Sequence, residues 1–497
     1  MLLSVRLDSQ AACLWHLWLL ERLAGLPDVN VVIEPGFEKR RPPFVERLLY
    51  LETLREQQPR PGAASPIPDG SLDRYEPNNT AEPDLILDLC GEFPSNSSRV
   101  WRLSFDGAPG EVALLSAILL GRSPVAEIRE GDRIIAAGRL GTESNGMLLA
   151  TFEDALARTI TLIAGAFSGA SPRLPEGDQP TIELQTQVSS LDLGGVVVKT
   201  LSNRVLRRLY RVFYQTPHWR VGWRKLDGPD LFNLRRHPDT GWHDLPDDNM
   251  RFYADPFPIA YRGDVTLFVE EYPHSTGKGI ISAVRFGPDG PLGRPEPVLE
   301  LPYHLSYPFV FEQDGAIWMV PESCASGTID LFRATRFPGG WVKEATLVDG
   351  VTASDATLCE AGGRWWLFAT VKDGGSYSDA LHLWSAPDFR GPWTPHAHNP
   401  VLIDIASARP AGRIVQRDGA LFRPVQDCRL GYGAALGLAR IHQLDDRGFA
   451  QHVETILTAG SRWAGRCLHT VNRAGPFEFI DGSGSARRPL LARWKAA

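Results

Sequence analysis

A sequence repeat of about fifty residues constrains the fold of the second half of this chain more than any other feature. Four similar segments begin at residues 253, 306, 354 and 408: YADPFPI, SYPFVFEQDGAIWMV, SDATLCEAGGRWWLF and ARPAGRIVQRDGALFRP. A fifth start, LHTVN, follows at residue 468. Each full copy runs from a polar residue into a short apolar strand, turns at glycine and resumes as a second strand. The spacing is that of four-stranded propeller blades, so we predict a five-bladed β-propeller.

Hairpin signals between these strands support an all-β half. Asp-Gly or Gly-Gly pairs occur at Asp289-Gly290, Asp314-Gly315, Gly362-Gly363 and Asp418-Gly419. Such pairs favour tight turns between antiparallel strands. Eleven of the 14 tryptophans lie beyond residue 215, where large aromatic side chains can fill the space between twisted sheets.

The first 170 residues have a different texture, because apolar strand-like and helix-like segments alternate there. The strand-like segments are Leu2 to Leu7, Val29 to Ile33, Leu85 to Leu89, Val100 to Ser104 and Arg133 to Arg139. The helical segments are Ala11 to Leu26, Glu111 to Leu120 and Ala150 to Phe167. This alternation predicts a Rossmann-like α/β domain with a largely parallel sheet. The 497-residue length also favours more than one domain.

The stretch between the two halves is predicted to be a linker followed by a basic helix, over residues 171–217. Ser171 to Pro180 is rich in proline and acids. A basic segment, 199–225, follows, and Asn203 to Gln215 could form a basic amphipathic helix. Two interpretations stay open: contact with an anionic membrane or lipid phosphate, or a bridging helix with a solvated basic face. The propeller is then expected over 218–485, with a C-terminal tail at 486–497.

Composition limits the class of protein. Hydrophobic residues make up 43% and charged residues 22%, as in soluble globular proteins, and the net charge of −7 disfavours nucleic-acid binding. The six cysteines are scattered without metal-ligand spacing. We therefore expect no metal and no cofactor, and a reducing, cytoplasmic location with peripheral attachment to the inner membrane as an option.

The repeat also predicts a site, because the first strands of all blades converge on the axis of a propeller. The residues at or near these starts are Asp255, Tyr307, Asp355, Arg409 and His469. The residues that we expect to border the same funnel are Glu270, His304, Glu322, Gln426 and Asp427. We expect catalysis from Asp255, Asp355 and Glu322, and substrate binding from the others. For each acidic residue taken alone, the alternative to a catalytic role is a structural role in a turn or a cap.

The propeller half resembles the N-terminal domain of plant glucosamine inositolphosphorylceramide transferases. The shared motifs are ADPF (254–257), LFVE (267–270), HLSYPFVFE (304–312), MVPE (319–322), RPAG (409–412), QDC (426–428) and YG (432–433). The resemblance covers roughly residues 218 to 485. It does not include the separate glycosyltransferase domain for which those proteins are named, so it does not carry that activity to this chain.

The same half is distantly similar to five-bladed glycoside hydrolases of family 43. This resemblance implies that Asp255 is a general base and that Asp355 modulates pKa and orients substrate. Those hydrolases place a glutamic acid on a later blade, whereas Arg409 opens the fourth blade here. Either Glu322 or Glu270 substitutes as the acid, or the leaving group is phosphate, stabilised by Arg409 and His469.

The first domain is weakly similar to the N-terminal domain of formyltransferases, through DLILDLCGE (84–92) and VWRLSFDGAPG (100–110). Phe105-Asp106-Gly107 stands where that family carries its catalytic histidine, and the family's asparagine is also missing. Formyl transfer is therefore disfavoured, and the domain is expected to be a scaffold or to keep a ligand crevice.

These observations favour a carbohydrate-active enzyme that performs glycosyl transfer in glycan or glycolipid assembly, with a carbohydrate or sugar-phosphate substrate. The alternatives are a glycoside hydrolase of furanosidase type and a glycan-binding scaffold without turnover.

Overall fold

The computed structural model describes residues 1–56, 61–77, 81–91, 99–144, 146–170, 172–174, 210–461, 463 and 465–488. These residues form two compact units. The first lies within Met1–Leu201 and also includes Asp373–Asp379 and Ala397–Ile405, and the second comprises the rest. Within the described residues, no helix is both long enough and apolar enough to cross a membrane.

The first unit contains a six-stranded mixed sheet. Its strands are β1 (Leu2–Leu7), β2 (Asn30–Pro35), β3 (Leu85–Asp88), β4 (Arg99–Phe105), β5 (Val125–Glu130) and β6 (Arg133–Arg139). Its helices are α1 (Leu14–Ala24), α2 (Pro43–Glu56), a 3-10 helix (Asp73–Tyr75), α3 (Glu111–Leu119) and α4 (Leu148–Phe167). The order is β2-β1-β3-β4-β5-β6, with β2, β1, β3 and β4 parallel and β5 and β6 antiparallel.

The predicted parallel sheet is thus only partly present. The prediction missed β5, and the β5–β6 hairpin adds two antiparallel strands to the sheet edge. It also missed α2, because the outer face of this helix carries apolar side chains and so obscures the amphipathic pattern. The Rossmann-like assignment and the formyltransferase resemblance stay predictions.

The second unit contains five antiparallel sheets, each built on a path of four strands, which are the blades of a five-bladed β-propeller. Before the first blade lie β7 (Tyr214–Gln215), β8 (Trp219–Lys225), α5 (Leu231–Leu234) and β9 (His243–Asp244). Blade one has β10 (Arg251–Tyr261), β11 (Asp264–Pro273), β12 (Ile280–Gly287) and β13 (Gly290–Pro291), with β14 (Glu296–Leu299) also paired to β12. Blade two has β15 (Ser306–Gln313), β16 (Ala316–Glu322), β17 (Thr328–Arg336) and β18 (Gly339–Asp349), with a 3-10 helix at Cys324–Ser326.

Blade three has β19 (Ala353–Ala361), β20 (Arg364–Val371), β21 (Ala380–Ala386) and β22 (Thr394–Pro395); β23 (Leu402–Ile403) follows and belongs to the first unit. Blade four has β24 (Val415–Arg417), β25 (Ala420–Asp427), β26 (Ala435–Asp445) and β27 (Gly448–Leu457). Blade five has β28 (Arg466–Ala474) and β29 (Phe477–Ser483), joined by β8 and β9. The last strand, β30 (Ala486–Arg487), pairs with β7.

The predicted repeat coincides with the inner strands. Four of the five repeat starts lie in β10, β15, β19 and β28. The fourth start is different, since 408–412 makes only the isolated bridge Pro410 to Val425 before the short β24. The tight hairpin turns are confirmed at Asp314-Gly315 and Asp418-Gly419, where all four residues have positive φ.

Blade five closes the ring with strands from both ends of the unit. β8 pairs with β29 from Trp219↔Ser483 to Lys225↔Phe477. Arg220, Arg224 and Lys225 of the predicted basic segment therefore lie in a blade. Arg220 pairs with Asp244 and Arg224 with Glu478, so they do not form one free basic surface.

The predicted basic helix needs a second correction. Residues 210–213 are helical, but Tyr214–Gln215 is a strand paired with β30. The predicted C-terminal tail therefore begins inside a strand. Residues 203–209, most of the predicted Ser171 to Pro180 linker, and 489–497 lie outside the described residues.

The ion pair between β8 and β29 is expected to stabilise the ring closure. Arg224 Nε donates to Glu478 Oε2 at 2.7 Å, and the Arg224 and Glu478 side chains are only 10% and 1% exposed. Arg224→Ala leaves a buried carboxylate without its cation, so we expect a loss of about 3 to 5 kcal/mol in the free energy of unfolding. Denaturant unfolding measures this loss.

Arg285→Ala is the matched control, because its pair with Asp264 is long and exposed (3.9 Å, 63% and 66%). It should cost less than about 1 kcal/mol. Equal losses in the two variants would contradict a special role for the closure pair.

Candidate active site

Three consecutive blades place a non-glycine residue in the left-handed backbone region at the same position of the innermost strand. Asp255, Tyr307 and Asp355 have φ values of 49°, 43° and 56°. Each lies in a bulge where the pairing register with the second strand shifts. Such bulges redirect side chains, and backbone strain of this kind clusters at functional sites. The bulges explain why the repeat starts bring these three residues together.

The predicted base, Asp255, is 4% exposed and held by three neighbours. Its Oδ2 accepts the backbone N–H of Tyr307 at 3.1 Å, its Oδ1 accepts the Thr470 hydroxyl at 3.1 Å, and His469 Nε2 lies 3.3 Å from Oδ1. Burial raises the pKa of Asp255 to about 6, although the His469 charge opposes the shift. Near neutral pH, Asp255 is thus a carboxylate of unusually high basicity.

His469 lies between two carboxylates. Its Nδ1 is 2.7 Å from Asp481 Oδ1, and Asp481 also accepts the backbone N–H of Asp255 at 2.7 Å. Burial lowers the pKa of His469, but the charges of Asp481 and Asp255 outweigh it and raise the pKa to about 9. The ring is therefore an imidazolium that orients Asp255.

Sequence reasoning missed Asp481, which is fully buried. It lies on the second strand of blade five, whereas the sequence repeat points to polar residues at the starts of the first strands. The alternation in FEFID, which puts Asp481 on the face opposite Ile480, was the available signal.

The second carboxylate, Asp355, forms a separate cluster with Arg409. Arg409 Nε donates to Asp355 Oδ2 at 2.6 Å, and Gln426 Nε2 donates to the same oxygen at 2.9 Å. Burial raises the pKa of Asp355 to about 7, and Arg409 opposes this shift. Arg409 Nη2 is also 3.6 Å from Glu322 Oε2, so this guanidinium already faces two carboxylates.

The two candidate acids differ in their surroundings. Glu322 Oε2 accepts the backbone N–H of Asp355 at 3.0 Å, and its Oε1 accepts the Cys324 thiol at 3.0 Å. Both bonds suit an ionised group. Burial and the neighbouring carboxylates, first Asp255 and then Glu322, instead raise the pKa of Glu270 well above its ordinary value. The raised pKa makes Glu270 the stronger candidate for a proton donor, and the catalytic assignment of Glu322 stays a prediction.

His304 supports Glu270 from the side. Its Nδ1 accepts the backbone N–H of Gly279 at 2.9 Å, and its Nε2 is 3.4 Å from Glu270 Oε1. Burial lowers the pKa of His304, so the neutral ring presents its Nε2 proton to Glu270. A Cβ at residue 279 would lie 2.5 Å from the Leu305 carbonyl oxygen, which explains why glycine stands there.

The remaining predicted residues divide into two groups. Tyr307 lies inside the site, and its hydroxyl accepts the backbone N–H of Gly412 at 2.8 Å. Asp427 instead binds the Arg429 side chain at 2.7 Å, and no described contact joins it to the axial residues. Its position at the end of β25, one residue past Gln426, turns it to the other face of the strand.

Two aromatic side chains that the sequence did not identify as site residues flank these groups. Trp219 stacks on the His469 ring with centroids 4.3 Å apart, and Tyr432 lies 4.8 Å from the Arg409 guanidinium carbon. Trp219 was missed because it precedes the first repeat by more than thirty residues and enters blade five only through the ring closure. Aromatic faces beside polar groups suit the mixed surface of a sugar ring.

Two side-chain groups of the described chain have the composition of a metal site. Asp255, His469 and Asp481 place ligand atoms within 4.8 Å of one another. Both ring nitrogens of His469 face carboxylates, however, which fits a protonated ring and not a ligand. In the other group, His16, Glu38 and Glu111, the Nδ1 of His16 accepts the backbone N–H of Cys13, and Arg41 neutralises Glu111.

We predict that Asp481→Asn lowers the pKa of His469, because it removes the carboxylate that raises this pKa most while the burial that lowers it remains. An NMR titration of the imidazole signals measures the change from about 9. Asp330→Asn removes a buried carboxylate of β17 in blade two and should leave the His469 titration unchanged. An unaltered His469 pKa in Asp481→Asn would contradict the assigned pairing.

The family described as the N-terminal part of glucosamine inositolphosphorylceramide transferase 1 matches residues 246–475. Glucosamine inositolphosphorylceramide transferase 1 of Oryza sativa subsp. japonica is 33% identical over 234 residues, which cover 44% of this chain and 31% of the relative. The protein of the same name from Arabidopsis thaliana is 32% identical over 205 residues, covering 40% and 27%. The chain thus spans less than a third of the length of these relatives.

The solved structures with some likeness include glycoside hydrolases. A thermostable family-43 glycoside hydrolase has 14% identity and a TM-score of 0.32, covering 45% of this chain and 78% of that one. The GH43_1 enzyme of Xanthomonas citri, complexed with xylotriose, has 12% identity and a TM-score of 0.35, covering 47% and 87%. Likeness at this level supports no inference about chemistry.

Proposed function

We propose that the propeller is the catalytic domain of a carbohydrate-active enzyme, which transfers a glycosyl group from an uncharged glycoside to the hydroxyl of water or of an acceptor. The observation that carries the proposal is the pair Asp255 and Glu270. Both are buried: burial raises the pKa of Asp255 to about 6, and burial with the neighbouring carboxylates raises the pKa of Glu270 well above its ordinary value, which favours its protonated form. Separated pKa values of this kind mark acid and base roles in glycosyl chemistry.

In this mechanism Asp255 accepts the proton of the attacking hydroxyl. Its orientation comes from Tyr307, Thr470 and His469, and the imidazolium limits how far the pKa of Asp255 rises. Glu270 donates its proton to the departing oxygen. General acid and base catalysis each contribute about 10²-fold to 10⁴-fold.

The charges of the site favour an uncharged donor. The axial residues include the carboxyl groups of Asp255, Glu270, Glu322, Asp355 and Asp481, against the cations His469 and Arg409. Each cation already faces two carboxylates. An excess of acidic groups disfavours a sugar phosphate and favours the positive charge that develops on a sugar ring during bond cleavage.

The comparisons support a carbohydrate substrate. The relatives that match the propeller are named glucosamine inositolphosphorylceramide transferase 1, and the region of this chain that the family matches, 246–475, includes Asp255, Asp355 and Arg409. That name belongs to those longer proteins. For this chain we propose only the class of substrate, a carbohydrate, and no particular sugar.

A substrate panel tests the proposed function. The purified chain is incubated with aryl and alkyl furanosides and pyranosides, with sugar 1-phosphates and with nucleotide sugars, and product release is measured. Turnover of uncharged glycosides supports the proposal. Turnover confined to phosphate donors would overturn the assignment of the leaving group. Thermal stabilisation by glycans without any turnover would show a binding scaffold instead.

A further inference from the structure

The outer face of helix α2 exposes apolar side chains where the surface helix of a soluble unit ordinarily presents polar ones. Phe44, Tyr50, Leu51 and Leu54 are 43%, 63%, 61% and 60% exposed. At 100° per residue they share one sector of about 120°, which we call the apolar face of α2. The opposite side of the helix buries Val45, Leu49 and Glu52. The helix is thus apolar on both its inner and its outer side.

Basic side chains border the apolar face. Arg47 falls in the same sector, and Lys39 and Arg40 precede the helix. Lys39 and Arg47 are exposed, and neither forms an ion pair among the described residues. The Arg40 side chain is 50% exposed and lies 3.5 Å from Asp8. Glu46 is an exposed acidic side chain of α2, and it lies outside the sector of the apolar face.

A cleft of about 1000 Å³ adjoins the same helix. Tyr50 and Leu54 belong both to its wall and to the apolar face, and Arg41 and Glu111 also line it. Arg41 uses Nε and Nη2 to bind Glu111 and Cys13. Its Nη1 makes no hydrogen bond with a described residue, so a donor remains for an anion. The cleft therefore combines an apolar wall with side chains of both charges. The basic ones are Lys39, Arg40 and Arg41, and the acidic ones are Glu38, Glu46, Glu111 and Glu153.

We propose that the apolar face of α2 docks on an anionic lipid bilayer, with Lys39, Arg40 and Arg47 toward the anionic headgroups. Apolar and aromatic side chains beside exposed Lys and Arg are the combination that holds a helix in the plane of a membrane interface. A second copy of the chain fits this surface less well. In a two-fold symmetric contact, the same patch of both copies forms the interface, so the basic side chains Lys39, Arg40 and Arg47 of both copies would be brought to one surface. The inference goes beyond the proposed function of the propeller.

Vesicle sedimentation tests the proposal with the full chain. We expect binding to vesicles of phosphatidylcholine and phosphatidylserine, weaker binding to phosphatidylcholine alone, and release as salt is raised. Leu51→Ser/Leu54→Ser should weaken binding by at least about tenfold, because it removes two interfacial leucines. Arg47→Gln should weaken it about fivefold. Leu292→Ser is the matched control, since Leu292 is 63% exposed in the propeller and should leave binding unchanged.

Several results would overturn the proposal. The first is that the unaltered protein does not bind vesicles containing phosphatidylserine. The second is that the control Leu292→Ser loses as much binding as the double variant Leu51→Ser/Leu54→Ser. Self-association that needs Leu51 and Leu54 but no vesicles would assign the face to a second copy instead. The α2 substitutions lie outside the propeller, and Leu292 is an exposed propeller residue that is not among the site residues. Turnover of a soluble glycoside should therefore be unchanged in each variant, which keeps this test separate from that of the proposed function.

Discussion

Asp255→Asn is expected to lower kcat/KM for a glycoside by about 10²-fold to 10⁴-fold, with the fold and ligand affinity retained. Asparagine keeps an oxygen that can accept the N–H of Tyr307 or the hydroxyl of Thr470, but it cannot accept the proton of an attacking hydroxyl. The measurement is steady-state turnover together with ligand-dependent thermal stabilisation.

The pH profile of kcat/KM for the unaltered protein should show the ionisation of Asp255. Because burial raises the pKa of Asp255 to about 6, the carboxylate form predominates above that value. We expect kcat/KM to rise with pH through about 6, and this rising limb should be absent from the residual activity of Asp255→Asn.

Asp330→Asn is the control for the loss of a buried carboxylate. Asp330 lies on the third strand of blade two, where it accepts the Thr346 hydroxyl at 2.9 Å and pairs with Lys343. Turnover should be near that of the unaltered protein. Full activity in Asp255→Asn would mean that another residue is the base. Loss of turnover with unchanged ligand affinity would show that Asp255 is needed for catalysis and not for glycan binding.

Glu270→Gln should show the second large effect, and its size should depend on the leaving group. For an alkyl glycoside, whose departing oxygen needs a proton, we expect a loss of about 10²-fold to 10⁴-fold. For a nitrophenyl glycoside the loss should be much smaller, since that leaving group departs as a stable anion. The ratio of the two rates in one variant is the measurement.

The Glu270 variant should also change the upper limb of the pH profile. Its raised pKa means that the protonated, active form persists to a higher pH than in an ordinary glutamic acid and is lost as pH rises through that pKa. Glutamine does not ionise, so the falling limb should disappear. His304 can still donate to the amide oxygen of glutamine, and the fold should therefore be retained.

Glu322→Gln is the informative comparison, because the sequence left Glu322 and Glu270 as alternative acids and Glu322 was expected to be catalytic. Its contacts to Asp355, Cys324 and Arg409 indicate that it positions Asp355 as a charged group. Its loss should affect both leaving groups alike. A strong dependence on the leaving group in Glu322→Gln, and none in Glu270→Gln, would reverse the two roles.

The structure also changes how the role of Arg409 is tested. Arg409→Ala would leave the buried Asp355 carboxylate without its cation, so a loss of activity could come from a loss of folding. Arg409→Lys keeps the charge and removes the forked geometry. That Arg409 stabilises a phosphate leaving group stays a prediction. The sugar 1-phosphates and nucleotide sugars of the substrate panel test it.

The sequence by itself determined the features that repeat within each blade. The fifty-residue period predicted five blades, and the position of Asp255, Tyr307 and Asp355 within the repeat predicted that they meet. Tight turns such as Asp314-Gly315 were equally readable, since they depend on the conformational preference of neighbouring residues. Pattern and local backbone preference are properties of short segments, so one sequence suffices to find them.

Only the tertiary structure decided which groups face one another across the axis. Asp481 reaches His469 and Asp255, and Trp219 reaches His469, because the ring closes by pairing β8 with β29 between chain segments some 250 residues apart. Arg409 forms ion pairs with Asp355 and Glu322, and these residues come from three different blades. The raised pKa of Glu270, which favours its protonated form, likewise depends on burial and on carboxylates of several blades. Charge and desolvation act through space, and no local pattern records them.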